Sequence, residues 1–386
     1  MKRPQEFSEP VYVTRSVLPP LEKLQAHLTD VWSSRILSNQ GPKHAQFESA
    51  LRALLRVPNV TLFSNGTLAL TLGIRALQIT GEVITTPFTF PATPHAIVWG
   101  GATPVFCDID PITLCIDPVA VERMITSQTT AILGVHVYGM ACDVATLQEV
   151  ADRYGLKLIY DAAHAFGTEV NGVPIGQFGD LSMFSFHATK LFHSVEGGCL
   201  IYRDEALRRT LDLLKNFGIA SEISVQLSGL NAKLNEIQAI IGLLMIDEIA
   251  AEQGRRRAVR QRYRETLPEI EGISCIKIPE SVTDSLQYMP IIVDEARFGL
   301  SRNKLYAGLR EFNVYARKYF YPLCTEYVPY LKSKSGPLPN ATYAAESVLC
   351  LPFYGEMGIE TVDRICDIIR YIQRSAIGTL IRMVAQ

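Results

Sequence analysis

The sequence predicts an α/β protein in which a large domain with a mostly parallel, seven-stranded sheet precedes a smaller α+β domain. Seven short apolar runs alternate with helical patterns between about residues 45 and 250. Most of these runs lack a strict polar/apolar alternation, which is typical of strands covered by helices on both faces. Beyond about residue 270 the strands become fewer and mix with helices, which indicates a second unit.

The strands of the large domain are predicted from apolar runs at residues 60–64, 82–87, 103–109, 130–139, 156–162, 181–186 and 198–202. Helical patterns lie between them, for example at residues 66–78 and 143–155. Strands that alternate with helices in this way form doubly wound sheets. Such sheets bind ligands at the carboxyl ends of their strands, so functional residues are expected there.

One long helical pattern, residues 229–267, leads into the second unit. That unit is predicted to contain two strands and two helices, at residues 274–279, 288–294, 301–312 and 359–373. We therefore expect the large domain to cover residues 1–250 and the small domain residues 251–386, with the boundary inside or just past the long helix.

The composition excludes several classes of protein. Hydrophobic residues make up 48% and charged residues 20% of the chain, as in a globular rather than a disordered protein. The formal net charge of -2 provides no general attraction to nucleic acid or to a membrane surface. The first ten residues lack the apolar stretch of a secretory signal, and no run is apolar enough to span a bilayer.

Eight cysteines are scattered along the chain without CxxC pairs, which favours neither a zinc site nor a disulfide framework. Cys107, Cys199 and Cys350 lie in apolar stretches and are predicted to be buried thiols. Together these features predict a cytoplasmic protein without a metal site.

Two motifs follow predicted strands and suit a flat, phosphorylated ligand. "SNGTLAL" (64–70) turns at Gly66, after Asn65, and begins a helix at Thr67, where free N–H groups and the helix dipole favour a phosphate. An ordinary helix N-cap is the alternative. "TTPFTFPAT" (85–93) places Phe88 and Phe90 beyond another strand, where an aromatic ring stacks on a ligand or simply packs in the core.

Two further strand ends carry the reactive groups. Asp161 in "LIYDAAHAFG" follows an apolar strand directly, and a carboxylate at that depth needs a partner. Lys190 in "SFHATK" follows the next strand, 29 residues later. The alternatives are an Asp that caps a turn and a surface lysine in a loop. An amine, a buried carboxylate, a stacking aromatic and a phosphate cradle are together what pyridoxal 5'-phosphate (PLP) requires.

The chain resembles the DegT/DnrJ/EryC1/StrS family of PLP-dependent nucleotide-sugar aminotransferases. The resemblance rests on "SNGT" (64–67) and "TTPFTFPAT" (85–93) and on other motifs spread over nearly the whole chain. These are "NQGP" with "FE" (39–48), "VHVYG" (135–139), "DAAHAFG" (161–167), "SFHATK" with "EGG" (185–198), "GLNAKLNEIQA" (229–239) and "YARKYFYPL" (315–323). It implies the type I, aspartate-aminotransferase-like fold.

The resemblance also implies a role for each site residue. Lys190 would form the Schiff base with the cofactor and shuttle protons, and Asp161 would pair with the pyridine nitrogen. The remaining cofactor contacts would be made by Asn65, Gly66, Thr67, Phe90, His164, Ser185 and, from the neighbouring subunit of a homodimer with shared active sites, Asn231. His187 and His193 are expected to be structural.

The implied reaction is a transamination from L-glutamate to a nucleotide-linked keto-deoxy sugar. "SFHATK" resembles the form found in enzymes that aminate C4 of dTDP-4-keto-6-deoxy-D-glucose; enzymes that form 3-amino sugars or use UDP- or GDP-sugars are the alternatives. Arg317 and Lys318 would bind the diphosphate, and Tyr321 the base or sugar. A packed rim of the small domain is the other interpretation of that segment.

Other classes of protein remain as alternatives. A dinucleotide-dependent oxidoreductase would share the alternation of strands and helices, but no GxGxxG follows a predicted strand. A non-enzymatic PLP-binding regulator would need a DNA-binding module, and none is visible after residue 250. A lyase or another type I PLP enzyme would retain the same cofactor residues.

Overall fold

A computed structural model describes residues 3–384 of the chain. The described helices are α1 (Leu21–Ser34), α2 (Pro42–Leu55), α3 (Gly66–Ala76), α4 (Ala92–Gly100), α5 (Pro118–Met124), α6 (Val144–Tyr154), α7 (Leu207–Leu214), α8 (Glu236–Thr266), α9 (Glu295–Phe298), α10 (Arg302–Arg310), α11 (Pro339–Ser347) and α12 (Gly358–Val384).

The described strands are β1 (Val11–Tyr12), β2 (Asn59–Phe63), β3 (Glu82–Thr85), β4 (Thr103–Phe106), β5 (Thr129–Val135), β6 (Lys157–Asp161), β7 (Glu169–Val170), β8 (Val173–Pro174), β9 (Leu181–Ser185), β10 (Gly198–Tyr202), β11 (Ile219–Ser221), β12 (Ser224–Val225), β13 (Ile273–Cys275), β14 (Val282–Thr283), β15 (Met289–Val293), β16 (Val314–Tyr315) and β17 (Val348–Leu351).

The large sheet has seven strands in the order β2-β10-β9-β6-β5-β3-β4. All neighbouring pairs are parallel except the two that involve β10, which runs opposite to the others. Six strands therefore end at one edge of the sheet, and β10 begins there. The predicted fold class and mostly parallel seven-stranded sheet are confirmed.

Strand positions follow from the apolar runs, because strands covered on both faces are almost entirely buried. β6 and β9 are neighbours in register, with Asp161 opposite Met183. β5 ends at Val135 rather than continuing to residue 139, because Val137–Gly139 turn as a 3-10 helix with Tyr138 at a positive φ of 57°. The ends of β5, β6 and β9 consequently lie side by side.

Helix α8 is shorter at its start than the pattern at 229–267 predicts. It begins at Glu236, because Asn235 accepts a hydrogen bond from the Gln238 amide and the Gln238 side chain accepts one from the Asn235 amide. This reciprocal capping box fixes the helix start. Residues 229–235 form irregular backbone instead, so that part of the prediction is wrong. The last helix is longer than predicted, Gly358–Val384 instead of 359–373.

Two large hydrophobic clusters form the cores. One surrounds the seven-stranded sheet, and the other packs α10 and α12 on a three-stranded sheet of β13, β15 and β17. α8 contributes residues to both clusters, such as Met245 to the first and Tyr263 to the second. The domain boundary at residue 250 remains a prediction, and it falls within this continuous helix.

All eight cysteines are free, and the three predicted to be buried thiols, Cys107, Cys199 and Cys350, are indeed buried. Within residues 3–384, no helix is both long enough and apolar enough to cross a membrane.

Candidate active site

A cavity of about 260 Å³ opens at the edge where the parallel strands end. Its walls come from the segments that follow β2, β3, β6 and β9, from the segment that precedes β10, and from Tyr288, Tyr319 and Phe320 of the second unit. Eight of the nine predicted cofactor residues line this cavity: Asn65, Gly66, Thr67, Phe90, Asp161, His164, Ser185 and Lys190. The topology thus brings together residues that are up to 125 positions apart, from Asn65 to Lys190.

Lys190 projects into this cavity from the loop between β9 and β10. Its side chain is half-buried, and its Nζ lies 5.9 Å from the centre of the Tyr288 ring. Burial lowers the pKa of Lys190 to about 8, although the negative charge of Asp161 acts in the opposite direction. An amine with such a pKa is partly neutral near physiological pH and can act as a nucleophile or base.

Asp161 ends β6 at the floor of the cavity and is almost fully buried. Its carboxylate accepts hydrogen bonds from Thr93 Oγ1 at 2.8 Å and from the Ala163 amide at 3.0 Å. Burial raises the pKa of Asp161, and these hydrogen bonds and the charge of Lys190 only partly offset that effect. Among the described residues no cationic side chain forms an ion pair with it. A buried carboxylate in this situation suits a protonated ring nitrogen.

The start of α3 has the geometry that the predicted anion cradle requires. The Asn65 side chain accepts a hydrogen bond from the Leu68 amide at 2.8 Å, and the first backbone hydrogen bond of the helix runs from Ala69 to Asn65 at 3.1 Å. The amides of Gly66 and Thr67 precede that bond and are therefore available to an anion. Ser185, at the end of β9, lines the same part of the wall. The N-cap and phosphate interpretations are compatible, because Asn65 serves the first and the neighbouring amides suit the second.

His164 and the aromatic residues shape the middle of the cavity. His164 Nδ1 accepts a hydrogen bond from the Tyr138 amide at 3.3 Å. Burial and the nearby charge of Lys190 lower the pKa of His164 well below its usual range. The ring is therefore neutral, with its proton on Nε2, a donor for a ligand oxygen. Phe90 lines the cavity and is 58% exposed, whereas Phe88 is fully buried, so the packing alternative holds for Phe88.

The other predicted residues lie outside this cavity. Asn231 is exposed and pairs through its backbone with Asn216. Arg317, Lys318 and Tyr321 line a neighbouring cavity of about 310 Å³. Phe90, Tyr319 and Phe320 line both cavities. A ligand in the first cavity could therefore extend into the second.

The two histidines expected to be structural differ. His193 is buried and its Nε2 lies 2.7 Å from the Val17 carbonyl oxygen, as a structural residue should. His187 is exposed, lines the cavity mouth and lies 3.5 Å from the Glu196 carboxylate. Its structural role therefore remains only a prediction.

Several residues that shape the site were not predicted. Thr93 donates a hydrogen bond to Asp161 and lies in the "TTPFTFPAT" motif, three positions after Phe90. Its place in that motif was the available signal. Tyr288 and Tyr319 lie in the second unit, far along the chain, and only the tertiary structure brings them to the strand ends.

The residues present fit PLP in three respects. A desolvated amine faces the cavity, a buried carboxylate lacks a cationic partner among the described residues, and unpaired helix amides lie at the wall. These are the groups that would bond to the aldehyde, stabilise the protonated ring nitrogen and hold the phosphate, respectively.

Comparison with known proteins gives the same assignment. A sequence model of the DegT/DnrJ/EryC1/StrS aminotransferase family matches residues 21–370. The chain belongs to this family. As a DegT/DnrJ/EryC1/StrS protein it is an aminotransferase, and its cofactor is PLP. The predicted family, enzyme class and cofactor are confirmed.

Individual family members are similar over nearly their whole length. The dTDP-4-amino-4,6-dideoxy-D-glucose transaminase of Shigella dysenteriae is 40% identical over 368 residues, which cover 95% of this chain and 100% of that protein. The crystal structure of DesI in the presence of its TDP-sugar product matches with a TM-score of 0.93 and 36% identity, covering 98% of this chain and 97% of that one.

A third similar protein was solved with its cofactor. NtdA from Bacillus subtilis, with bound PMP, matches with a TM-score of 0.83 and 28% identity, over 92% of this chain and 82% of that one. The cavity at the strand ends is thus the candidate active site of an aminotransferase.

Proposed function

We propose that this chain transfers an amino group from L-glutamate to C4 of dTDP-4-keto-6-deoxy-D-glucose. The observation that supports this most strongly is its 40% identity, over 95% of its length, with a dTDP-4-amino-4,6-dideoxy-D-glucose transaminase. The similarity to DesI, whose structure was determined with a TDP-sugar product, points to the same class of substrate.

When bound, PLP supplies an electron sink for deprotonation of the carbon next to the amine. The residues of the chain provide the proton transfers and the orientation. Lys190, with its lowered pKa, accepts a proton near neutral pH and returns it at another atom, as a general base and then a general acid. Asp161 would stabilise a positive charge on the ring nitrogen, and the neutral His164 would donate from Nε2.

The neighbouring cavity would receive the nucleotide part of the sugar substrate. Arg317 is exposed there, and Lys318 Nζ lies 4.6 Å from the centre of the Tyr306 ring. Burial and the nearby Arg302 lower the pKa of Lys318. A diphosphate would relieve the repulsion between these cations, and Tyr321 provides an exposed ring for the base or sugar.

A homodimer with shared active sites is part of this proposal. Asn231 pairs with Asn216 at the base of the β11–β12 hairpin, and that hairpin exposes Ile223 by 98% and Val225 by 69%. Exposed apolar residues in such a group favour burial against a partner. A second copy that covers the hairpin would bring its own cavity close to Asn231.

The proposed compartment is the cytoplasm. Eight free cysteines, seven of them buried and one half-buried, are consistent with a reducing environment.

Single-turnover assays would test the substrate assignment. The enzyme in its pyridoxamine phosphate form would be mixed with dTDP-, UDP- and GDP-linked 3-keto and 4-keto sugars, and the products identified by NMR. We expect conversion of dTDP-4-keto-6-deoxy-D-glucose to a 4-amino sugar. Faster conversion of a 3-keto sugar or of a UDP- or GDP-sugar would refute the proposal.

Lys190→Ala is the matched control for this assay. It should lose turnover while its circular dichroism spectrum matches the wild type. Borohydride reduction of the PLP-loaded wild type should attach the cofactor to the peptide that contains Lys190, and Lys190→Ala should carry no such label.

A further inference from the structure

The loop that carries Lys190 is fixed by one side chain from the second unit. Gln287 is only 2% exposed and lies just before β15. Its Oε1 accepts a hydrogen bond from the Leu191 amide at 2.7 Å, and its Nε2 donates to the Thr189 carbonyl oxygen at 3.2 Å. One amide group therefore binds the backbone on both sides of the lysine.

Gln287 is itself held in place by buried arginines of α8. Arg256 donates to the Leu286 carbonyl oxygen at 3.1 Å and Arg260 to that of Tyr288 at 2.5 Å. Arg256 also forms an ion pair with Glu252 at 2.6 Å, and both side chains are buried. Since the carbonyl groups on either side of Gln287 are bound, its backbone is not free to shift.

The backbone before Gln287 adopts a conformation that is rare for its residue type. Leu286 has a φ of 59°, in the left-handed region that non-glycine residues seldom occupy. Such conformations persist where the surroundings impose them, and they cluster at functional sites. Here this turn is followed directly by the buried Gln287, which contacts the Lys190 loop, and by Tyr288, whose ring lies below the Lys190 amine.

We propose that Gln287 is a positioning residue for Lys190, an inference that rests on the assignment of Lys190 as the amine that bonds to the cofactor. By holding Thr189 and Leu191 it fixes the direction in which the Lys190 side chain leaves the backbone. It also holds the amine at its position in the cavity, on which the desolvation of that amine depends. Reactions between positioned groups are sensitive to displacements of about 1 Å, so loss of this contact should affect catalysis.

The test is Gln287→Met, which retains the length of the side chain but cannot bind either backbone group. In the PLP-loaded enzyme we expect kcat to fall by at least about tenfold, while KM for L-glutamate changes less than about threefold. The second measurement is the pH dependence of acetylation of Lys190 in the cofactor-free full-length chain, followed by mass spectrometry. Its midpoint should move upward from the wild-type value, because the loosened loop admits water to the amine.

Ser16→Ala is the matched control. Ser16 Oγ donates to the Ala188 carbonyl oxygen at 2.7 Å in the same loop, but the contact is exposed and does not flank the lysine. Its kcat and its labelling midpoint should stay close to the wild type.

Wild-type kcat together with a wild-type labelling midpoint in Gln287→Met would overturn the proposal. So would a lower thermal stability with an unchanged midpoint, because that result indicates a purely structural residue. If Gln287→Met does not fold, Gln287→Asn replaces it, since it retains the amide but withdraws it by one methylene group; the same changes are expected. The labelling profile does not depend on the sugar substrate, so it separates failure of this inference from failure of the substrate assignment.

Discussion

The pKa values of Lys190 and Asp161 are shifted in opposite directions by the same cause, which is burial. Burial disfavours the charged form of each, so it lowers the pKa of the lysine amine and raises the pKa of the aspartate carboxyl. Both perturbations are suited to a ligand that offers an aldehyde to the amine and a positive charge to the carboxylate. They therefore give predictions that can be measured without any substrate.

The Lys190 amine should titrate near pH 8 in the cofactor-free protein. The folded chain holds this proton more weakly than the unfolded chain does, so stability from this group increases as the pH rises from about 8 toward the ordinary lysine range. Acetylation of Lys190, quantified by mass spectrometry between pH 6 and 10, should show a midpoint near the lowered pKa. A midpoint in the ordinary lysine range would contradict the prediction.

Asp161→Asn should raise the stability of the cofactor-free protein and lower the activity of the PLP-bound protein. Without cofactor it should raise the melting temperature at neutral pH, because it removes a buried charge that forms no ion pair among the described residues and whose burial outweighs the nearby charge of Lys190. Since the folded-state pKa of Asp161 is raised, the carboxyl group costs stability only as the pH rises above the ordinary aspartate range, and the gain should disappear in acid.

With PLP bound, Asp161→Asn should lower kcat by about 100-fold, since a neutral amide cannot hold a positive charge on the ring nitrogen. Thermal unfolding with and without PLP, together with steady-state assays, measures both effects. A lower melting temperature without cofactor, or a wild-type kcat, would contradict this prediction.

At the scale of elements, the site depends on the close approach of β10 to the start of α3. A Cβ atom on Gly198 would lie 2.7 Å from the Gly66 backbone nitrogen and 2.8 Å from its Cα. Only glycine allows this approach, because backbone atoms cannot move aside as a flexible side chain can. The antiparallel strand β10 therefore helps to position the helix amides that suit the cofactor phosphate.

Gly198→Ala should weaken PLP binding by displacing the first turn of α3. Gly254→Ala is the matched control: it lies within α8, a Cβ there meets nothing within 4 Å, and it should stabilise the protein by about 0.5–1 kcal/mol. Titration with PLP, followed by absorbance, compares the two variants. Equal PLP affinity in Gly198→Ala and the wild type would indicate that α3 tolerates the displacement.

At the scale of the whole molecule, residues of the second unit join the hydrophobic cluster of the large sheet at the candidate active site. The strand ends of the large sheet supply the reactive groups, and the second unit supplies Tyr288, Tyr319, Phe320 and the supporting Gln287. α8 connects them, because it contributes to both hydrophobic clusters and its arginines hold the segment before β15. Changes in the packing of α8 should therefore alter the position of Lys190.

The proposed homodimer gives a prediction at this scale. Ile223→Asp places a charge at the apolar tip of the β11–β12 hairpin, where it would be buried in the dimer at a large cost. Sedimentation velocity should show a shift from dimer to monomer, with loss of activity at low protein concentration. Lys332→Asp alters an exposed residue elsewhere and serves as the control. A dimer unaffected by Ile223→Asp would exclude this hairpin from the interface.

The sequence was sufficient to predict most of the large sheet and its reactive ends. Buried parallel strands require continuous apolar runs, so β6 and β9 were located to within one residue, and chain order made Asp161 and Lys190 neighbours. The helical pattern predicted the start of α8 less reliably, because it extended the helix to residues 229–235, which are not helical. There a capping box formed by two side chains, rather than the apolar content, determines where α8 begins.

What the sequence determined by itself is the chemistry: an amine, a carboxylate and a glycine-bearing helix start, each within a few residues of the end of an apolar strand. Local patterns suffice for these, because strand ends are set by nearby residues and by the alternation of elements. The tertiary structure alone decided which distant residues surround them. Gln287 and Tyr288 lie about 100 positions beyond Lys190, and no local pattern specifies that contact, since it depends on how the second unit packs against the large sheet.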